Sequence, residues 1–106
     1  MSWQITHKGG ANVVALHGEM GIQDASMFHQ AVLPLAGTDG AVRLDASAAK
    51  SVHTSIMQIL YALSQAAPDF GVTEASEDFR AVEARLGLSL ARSKETGTTA
   101  RQSGPA

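Results

Sequence analysis

The chain has 106 residues and a formal net charge of −2, and 44% of its residues are hydrophobic. That length supports one domain with a single core, and the composition is typical of a folded globular protein rather than a disordered one. Because no excess of positive charge is present, binding to nucleic acid is not indicated. The chain contains no cysteine, which excludes disulfides, thiolate metal sites and a cysteine nucleophile.

The N-terminal segment predicts a β-hairpin. Residues 3–8 alternate between the two faces of a half-buried strand, and residues 12–16 form a second run rich in β-branched side chains. Gly9 and Gly10 stand between the two runs, where a tight reversal needs positive φ angles.

From about residue 24 the apolar positions recur with the period of an α-helix; they are Phe28, Val32 and Leu35. Pro34 lacks an N–H and its ring clashes with the preceding turn, so we expect this helix to end or kink near Leu33. Residues 37–40 then predict a loop by their composition.

The middle of the chain predicts a strand, a link and a second helix. Residues 41–45 form a short strand, and residues 46–52 form a link of small and polar residues. A helix then begins near Thr54 and continues to about Ala66, and Pro68 stops it. Its apolar positions cover a broad stripe, so we expect it to be well buried; they are Ile56, Met57, Ile59, Leu60 and Leu63.

The last third predicts a strand, a helix and a tail. Residues 70–74 form the strand, Ser76 is the N-cap of the helix, and Gly87 is its C-cap. The apolar face of this helix carries Phe79, Val82 and Leu86. Residues 91–106 contain no large apolar side chain, so we expect a domain of residues 1–90 followed by a flexible tail.

The order of elements is therefore β-β-α-β-α-β-α. An opening hairpin followed by alternating strands and helices predicts an α/β fold, in which about three helices cover a mixed sheet with parallel βα crossovers. The N-terminus lacks the apolar region of a signal peptide, and no apolar run approaches the ~20 residues that cross a bilayer. We therefore expect a cytoplasmic protein without membrane insertion.

Several segments resemble the motifs of STAS domains, the fold of anti-sigma-factor antagonists. Residues 42–47 (VRLDAS) are similar to the family's strand that ends in Asp-x-Ser, and residues 52–60 (VHTSIMQIL) to the Asp-Ser/Thr-Ser-Gly-Leu sequence that opens the next helix. Residues 14–20 resemble the family's second strand, and residues 86–88 resemble its closing Leu-Gly-Leu. The resemblance covers roughly residues 3–90, in the right order and spacing.

The resemblance implies a bacterial, non-enzymatic signalling module that regulates transcription by binding an anti-sigma factor with serine-kinase activity, or that binds a sensor kinase. It also implies a switch by phosphorylation at the start of the second helix, where Thr54 and Ser55 are both candidates. The first turn of a helix tolerates a phosphate, whose charge can expel a partner. The candidate partner-binding residues are Asp45, Ser47, His53, Thr54, Ser55 and Ile56.

The sequence departs from the family at two positions of this motif. His53 stands where the family usually has Asp, which helps to position the hydroxyl for the kinase. Ile56 stands where the family usually has Gly, which lets a partner approach closely. Both replacements indicate a degenerate phosphorylation motif in a domain that still binds a partner.

The same residues have purely structural interpretations. Thr54 and Ser55 are ordinary N-cap residues, His53 is typical of a solvated junction, and Asp45 can accept hydrogen bonds from the link that follows it. The four histidines belong to different elements and lack metal-ligand spacing, so neither a metal nor a cofactor is predicted.

Three functions fit these observations. The first is an anti-sigma-factor antagonist, and the second is a STAS accessory protein of a chemotaxis or sensor-kinase complex or of a lipid-transport ATPase. The third is a small hydrolase or ligand-binding enzyme that uses Asp45, His53 and Ser55, although the spacing of the last two does not by itself place a base against a nucleophile. The sequence favours a binding module without catalytic residues and leaves the oligomeric state open.

Removal of residues 91–106 should change the melting temperature by less than ~2 °C, because a segment without large apolar side chains buries little area. Thermal unfolding of the full chain and of a chain that ends at Leu90 measures this difference. A clear loss of thermal stability would mean that the tail docks on the domain.

Overall fold

The computed structural model of the protein describes residues 2–37 and 40–90. These ranges contain the predicted elements in the predicted order, with a 3-10 helix (Ile22–Asp24) before the first α-helix. The elements are β1 (Trp3–Lys8), β2 (Ala11–Met20), α1 (Ala25–Ala36), β3 (Ala41–Val52), α2 (Thr54–Ala66), β4 (Phe70–Ala75) and α3 (Glu77–Leu86). The predicted tail, residues 91–106, lies outside the described residues.

The four strands form one mixed sheet in the order β1-β2-β3-β4. β1 and β2 pair antiparallel across Gly9 and Gly10, whose φ angles of +59° and +81° suit glycine because it has no Cβ. β2 pairs parallel with β3, and β3 pairs parallel with β4, with α1 and α2 as the crossovers. The α/β class, the hairpin and the parallel crossovers are therefore confirmed.

The core lies between the sheet and the helices. The strands contribute alternate residues that are at most 1% exposed, namely Val14, Leu16, Val42, Leu44 and Val72. The helices contribute fully buried side chains, among them Phe28, Met57, Leu60 and Phe79. Trp3 packs edge-to-face on Phe28 with ring centroids 5.4 Å apart, which fastens the edge strand β1 to α1.

The end of α1 differs from the sequence prediction. The helix does not end near Leu33 but continues through Pro34 to Ala36. Pro34 lies in the last turn, so it removes at most one hydrogen bond, and its ring is exposed to solvent. Leu35, the next residue, is buried in the core, and this burial favours the helical conformation of the last turn.

The predicted link at residues 46–52 is also wrong, because this segment is the second half of β3. This segment pairs with β2 on one side only, because the pairing of β3 with β4 ends at Ala46. The register between β2 and β3 shifts twice, and each shift adds one residue to β3 as a β-bulge. Gly18 of β2 lies at the second bulge with a φ of +61°. The bulges break the alternation of apolar residues, so the sequence has the pattern of a loop.

The helix caps of α3 are as predicted. Ser76 accepts a hydrogen bond from the N–H of Phe79 at 3.1 Å, and its own hydroxyl donates to the carbonyl oxygen of Ala49 at 2.6 Å. Gly87 is the C-cap. Within the described residues, no helix is long and apolar enough to cross a membrane.

Replacing Leu60 by alanine should lower the free energy of unfolding by ~2–5 kcal/mol, because the side chain is fully buried and its removal leaves a cavity. Gln58→Ala is the matched control on the exposed side of α2 and should change it by less than ~0.5 kcal/mol. Urea denaturation of both variants gives the two values. Equal effects would contradict the orientation of α2.

Candidate functional site

The candidate site lies where α2 begins, at the carboxyl ends of the parallel strands β2 and β3. Ligand sites of α/β sheets commonly lie at this edge. His53 joins β3 to α2, and its N–H donates to the carbonyl oxygen of Met20, the last residue of β2, at 2.9 Å. The 3-10 helix follows β2 and contacts α2. The start of α2 is therefore anchored on the ends of two strands.

His53 is the N-cap of α2. Its Nδ1 accepts a hydrogen bond from the N–H of Ser55 at 3.1 Å and lies 2.9 Å from the Ser55 hydroxyl oxygen. An imidazole nitrogen accepts hydrogen bonds only when it carries no proton, so this contact places the proton of the neutral ring on Nε2. The imidazole thus replaces the side-chain oxygen of an ordinary N-cap such as aspartate.

The two candidate hydroxyls have different surroundings. The Ser55 hydroxyl shares the Nδ1 acceptor of His53 with the Ser55 N–H, and Ser55 is half-buried. Thr54 is exposed to solvent. The sequence does not distinguish Thr54 from Ser55, whereas the structure places only the Ser55 hydroxyl against the imidazole.

Ile56 does not belong to the exposed surface, because its side chain is fully buried. It is part of the apolar stripe of α2 that packs against the rest of the core. Isoleucine in place of the family's glycine therefore adds a side chain to the core. Because that side chain is buried, it does not block the approach of a partner.

Sequence reasoning missed Ile22, a large apolar side chain that is 65% exposed. It lies in the 3-10 helix that contacts α2. Because Ile22 lies between the end of a strand and the start of a helix, neither the strand pattern nor the helix pattern of apolar residues includes it. The only sign of it in the sequence is an isolated isoleucine at this junction. We define the α2 entrance as Ile22, His53, Thr54 and Ser55.

Asp45 and Ser47 form a separate pair inside β3. Asp45 Oδ1 accepts hydrogen bonds from the N–H and the hydroxyl of Ser47 at 3.0 Å and 2.7 Å. The pair lies at the first bulge of β3, where the carboxylate satisfies a backbone N–H. The strand segment from Ser47 to His53 spans as much as about 20 Å.

The structure therefore divides the predicted site residues into two places rather than bringing them together. Asp45 bonds to Ser47 and does not orient His53, so the combination of Asp45, His53 and Ser55 that a hydrolase would need does not form. Among the described residues, no group of three or more His, Asp or Glu side chains could hold a metal ion.

The family model described as "Mlab, STAS domain" matches residues 3–90. The chain belongs to the STAS family. This STAS domain is similar in structure to an anti-sigma factor antagonist from Mycobacterium paratuberculosis, with a TM-score of 0.72 and 21% identity over 88% of this chain and 86% of that chain. At this identity the similarity shows a shared fold. No curated protein matches the chain.

His53→Ala should lower the free energy of unfolding by ~1 kcal/mol, because it removes the N-cap of α2. His53→Asp should retain most of the stability, since a carboxylate can accept the same N–H and suits the positive end of the helix dipole. Urea denaturation followed by circular dichroism measures both.

The matched control for this experiment is His17→Ala. His17 is an exposed histidine of β2, and its removal should change the free energy of unfolding by less than ~0.5 kcal/mol. If His53→Ala and His17→Ala have the same effect, His53 does not act as a cap.

Proposed function

We propose that this STAS domain is a non-enzymatic, cytoplasmic regulatory module that binds a partner protein through the α2 entrance. The observation that carries the proposal is the anchoring of this surface. The His53 N–H donates to the carbonyl oxygen of Met20, and the Ser55 N–H donates to His53 Nδ1. These two hydrogen bonds hold the exposed side chains at the ends of two strands. A surface held in this way loses little conformational entropy when a partner binds.

The chemistry of the α2 entrance suits a protein partner. Ile22 offers a large exposed apolar side chain, and His53, Thr54 and Ser55 place polar side chains at the first turn of α2. Protein interfaces combine an apolar anchor with polar groups at the rim in the same way. The partner class that we propose is an anti-sigma factor with serine-kinase activity or a sensor kinase, supported by the family and by the similarity to an anti-sigma factor antagonist.

Not all of the predicted partner-binding residues are part of the proposed binding surface. Ile56 is left out because its side chain is buried. Ser47 is exposed, but it lies along β3, away from the α2 entrance. Ser47 and Asp45 would contact only a partner large enough to cover the first bulge of β3 as well.

Phosphorylation of the α2 entrance is the second part of the proposal, with Ser55 as the favoured acceptor. The support is the 2.9 Å contact between the Ser55 hydroxyl oxygen and His53 Nδ1, because an unprotonated imidazole nitrogen can accept the hydroxyl proton as the serine attacks a phosphoryl group. In this role His53 replaces the aspartate of the family. A phosphate brings a charge of about −1.5 to −2. That charge would disfavour the packing of an apolar residue of the partner protein against Ile22.

Ser55→Glu and Thr54→Glu test the binding surface. Each should leave the far-UV circular dichroism intact, because acidic residues suit the first turn of a helix. At least one should weaken binding of the purified kinase partner tenfold or more, ~1.4 kcal/mol, in calorimetric titrations. Ala81→Glu adds the same charge to an exposed position of α3 and should leave the affinity unchanged.

The same kinase and ATP test the switch. Phosphate on Ser55 that is lost in His53→Ala would support the role of His53, whereas phosphate on Thr54 would contradict it. Absence of phosphate, together with weaker binding of the Glu variants, would describe an antagonist that is permanently active. If neither Glu variant weakens binding, the partner surface lies elsewhere.

A further inference from the structure

The solvent side of α1 and α2 is unusual because neither helix contains Asp, Glu, Lys or Arg. α1 has 12 residues and α2 has 13, and their titratable side chains are His29 and Tyr61. Surface helices normally present charged side chains to water. α3 follows that rule, since four of its 10 residues are exposed charged side chains, namely Glu77, Asp78, Arg80 and Arg85.

Exposed apolar side chains occur on the same two helices, on more than one side of them. Among the described residues, the exposed large apolar side chains are Ile22, Met27, Leu33 and Tyr61, and the last three belong to α1 and α2. Depletion of charge together with exposed apolar side chains on both helices indicates that part of their surface is covered in an assembly.

A groove runs between the two helices. It has a volume of about 120 Å³ and is lined mostly by aliphatic side chains, including Leu33 and Ala36 of α1 and Ile59, Ala62 and Ala66 of α2. Its size is close to that of an apolar cavity of ~150 Å³ that admits a benzene molecule, so it can take one aliphatic side chain. Leu33, at the rim of the groove, is itself 57% exposed.

We propose that a second copy of the chain covers this surface, in a two-fold symmetric dimer in which Leu33 of each copy enters the groove of the other. We call the surface the α1–α2 face and define it by Leu33, Ala36, Ile59, Ala62 and Ala66. A symmetric contact requires a projecting group and its recess on the same surface, and Leu33 and the groove meet that requirement.

The absence of charge also favours a second copy. Near a two-fold axis each charged side chain approaches the same charge of the partner, and such repulsion keeps most identical surfaces apart. Neither helix contains Asp, Glu, Lys or Arg, and the titratable side chain that lines the groove is His29. A membrane surface is a poor occupant, because helices that bind membranes carry Lys or Arg on their polar face. Residues 91–106 are a poor occupant too, since they contain no large apolar side chain.

The face is small for a stable dimer. Helices of 12 and 13 residues are about 18–20 Å long and about 10 Å across, so the two together measure at most about 20 by 20 Å. This upper limit of about 400 Å² is smaller than the ~800 Å² per partner of a standard interface. We therefore expect a weak, reversible dimer.

The dimer leaves the α2 entrance free, because the groove follows the second half of α2 whereas Thr54 and Ser55 open the helix. The inference is thus independent of the proposed binding and phosphorylation of the α2 entrance, and each can fail alone.

Sedimentation equilibrium of the full chain at about pH 8, from about 5 to about 500 µM, covers the range of a weak dimer and tests for it. The average mass should rise from 11.0 kDa toward twice that value. Leu33→Glu should remain at the monomer mass, because two carboxylates would meet near the axis. Ala81→Glu, on exposed α3, should associate like the wild type. Circular dichroism of both variants confirms that they are folded.

Cross-linking gives a second, independent measurement. The chain contains no cysteine, so Leu33→Cys can form a disulfide only with another copy. It should oxidise to a dimer at least tenfold faster than Ala81→Cys at equal concentration. A monomer mass at about 500 µM, association that survives Leu33→Glu, or equal oxidation of the two cysteine variants would each overturn the proposal. If the wild type is monomeric, a different protein rather than a second copy covers the α1–α2 face.

Discussion

His53 connects three parts of the molecule at one point. Its N–H bonds to Met20 at the end of β2, its carbonyl oxygen accepts from the N–H groups of Ile56 and Met57 at 3.0 Å and 3.2 Å, and its Nδ1 accepts from Ser55. The same residue thus ends β3, starts α2 and ties both to the neighbouring strand. The positions of Thr54 and Ser55 depend on this junction, because His53 has hydrogen bonds to both the sheet and the helix.

Much of the fold follows from local patterns. Gly9 and Gly10 predict the hairpin because a two-residue turn needs positive φ angles. Ser76 predicts the start of α3 because a serine hydroxyl at the N-cap accepts a hydrogen bond from an N–H group of the first turn. These signals lie within a few residues of the structure that they specify, so a single sequence is enough to interpret them.

The errors arise where distant contacts decide the local structure. Pro34 alone favours the end of a helix, but burial of Leu35 against the core extends it. Residues 46–52 have no strand periodicity, because β2 pairs with them across two bulges. At the site, Ile56 is both part of the predicted buried stripe and a candidate partner-binding residue, and the sequence does not show that its side chain packs in the core. The contact of His53 with Ser55 depends on a side-chain rotamer that spacing does not specify.

Trp3 is the single tryptophan of the chain, and it lies against Phe28 with 8% of its surface exposed. Because β1 is an edge strand, this ring contact joins the outermost part of the sheet to α1. Indole emission responds to the polarity around the ring, so the natural fluorescence of the protein reports on one local event, the separation of the hairpin edge from α1. Circular dichroism follows the helices as a whole, and the two signals together distinguish fraying of this edge from cooperative unfolding.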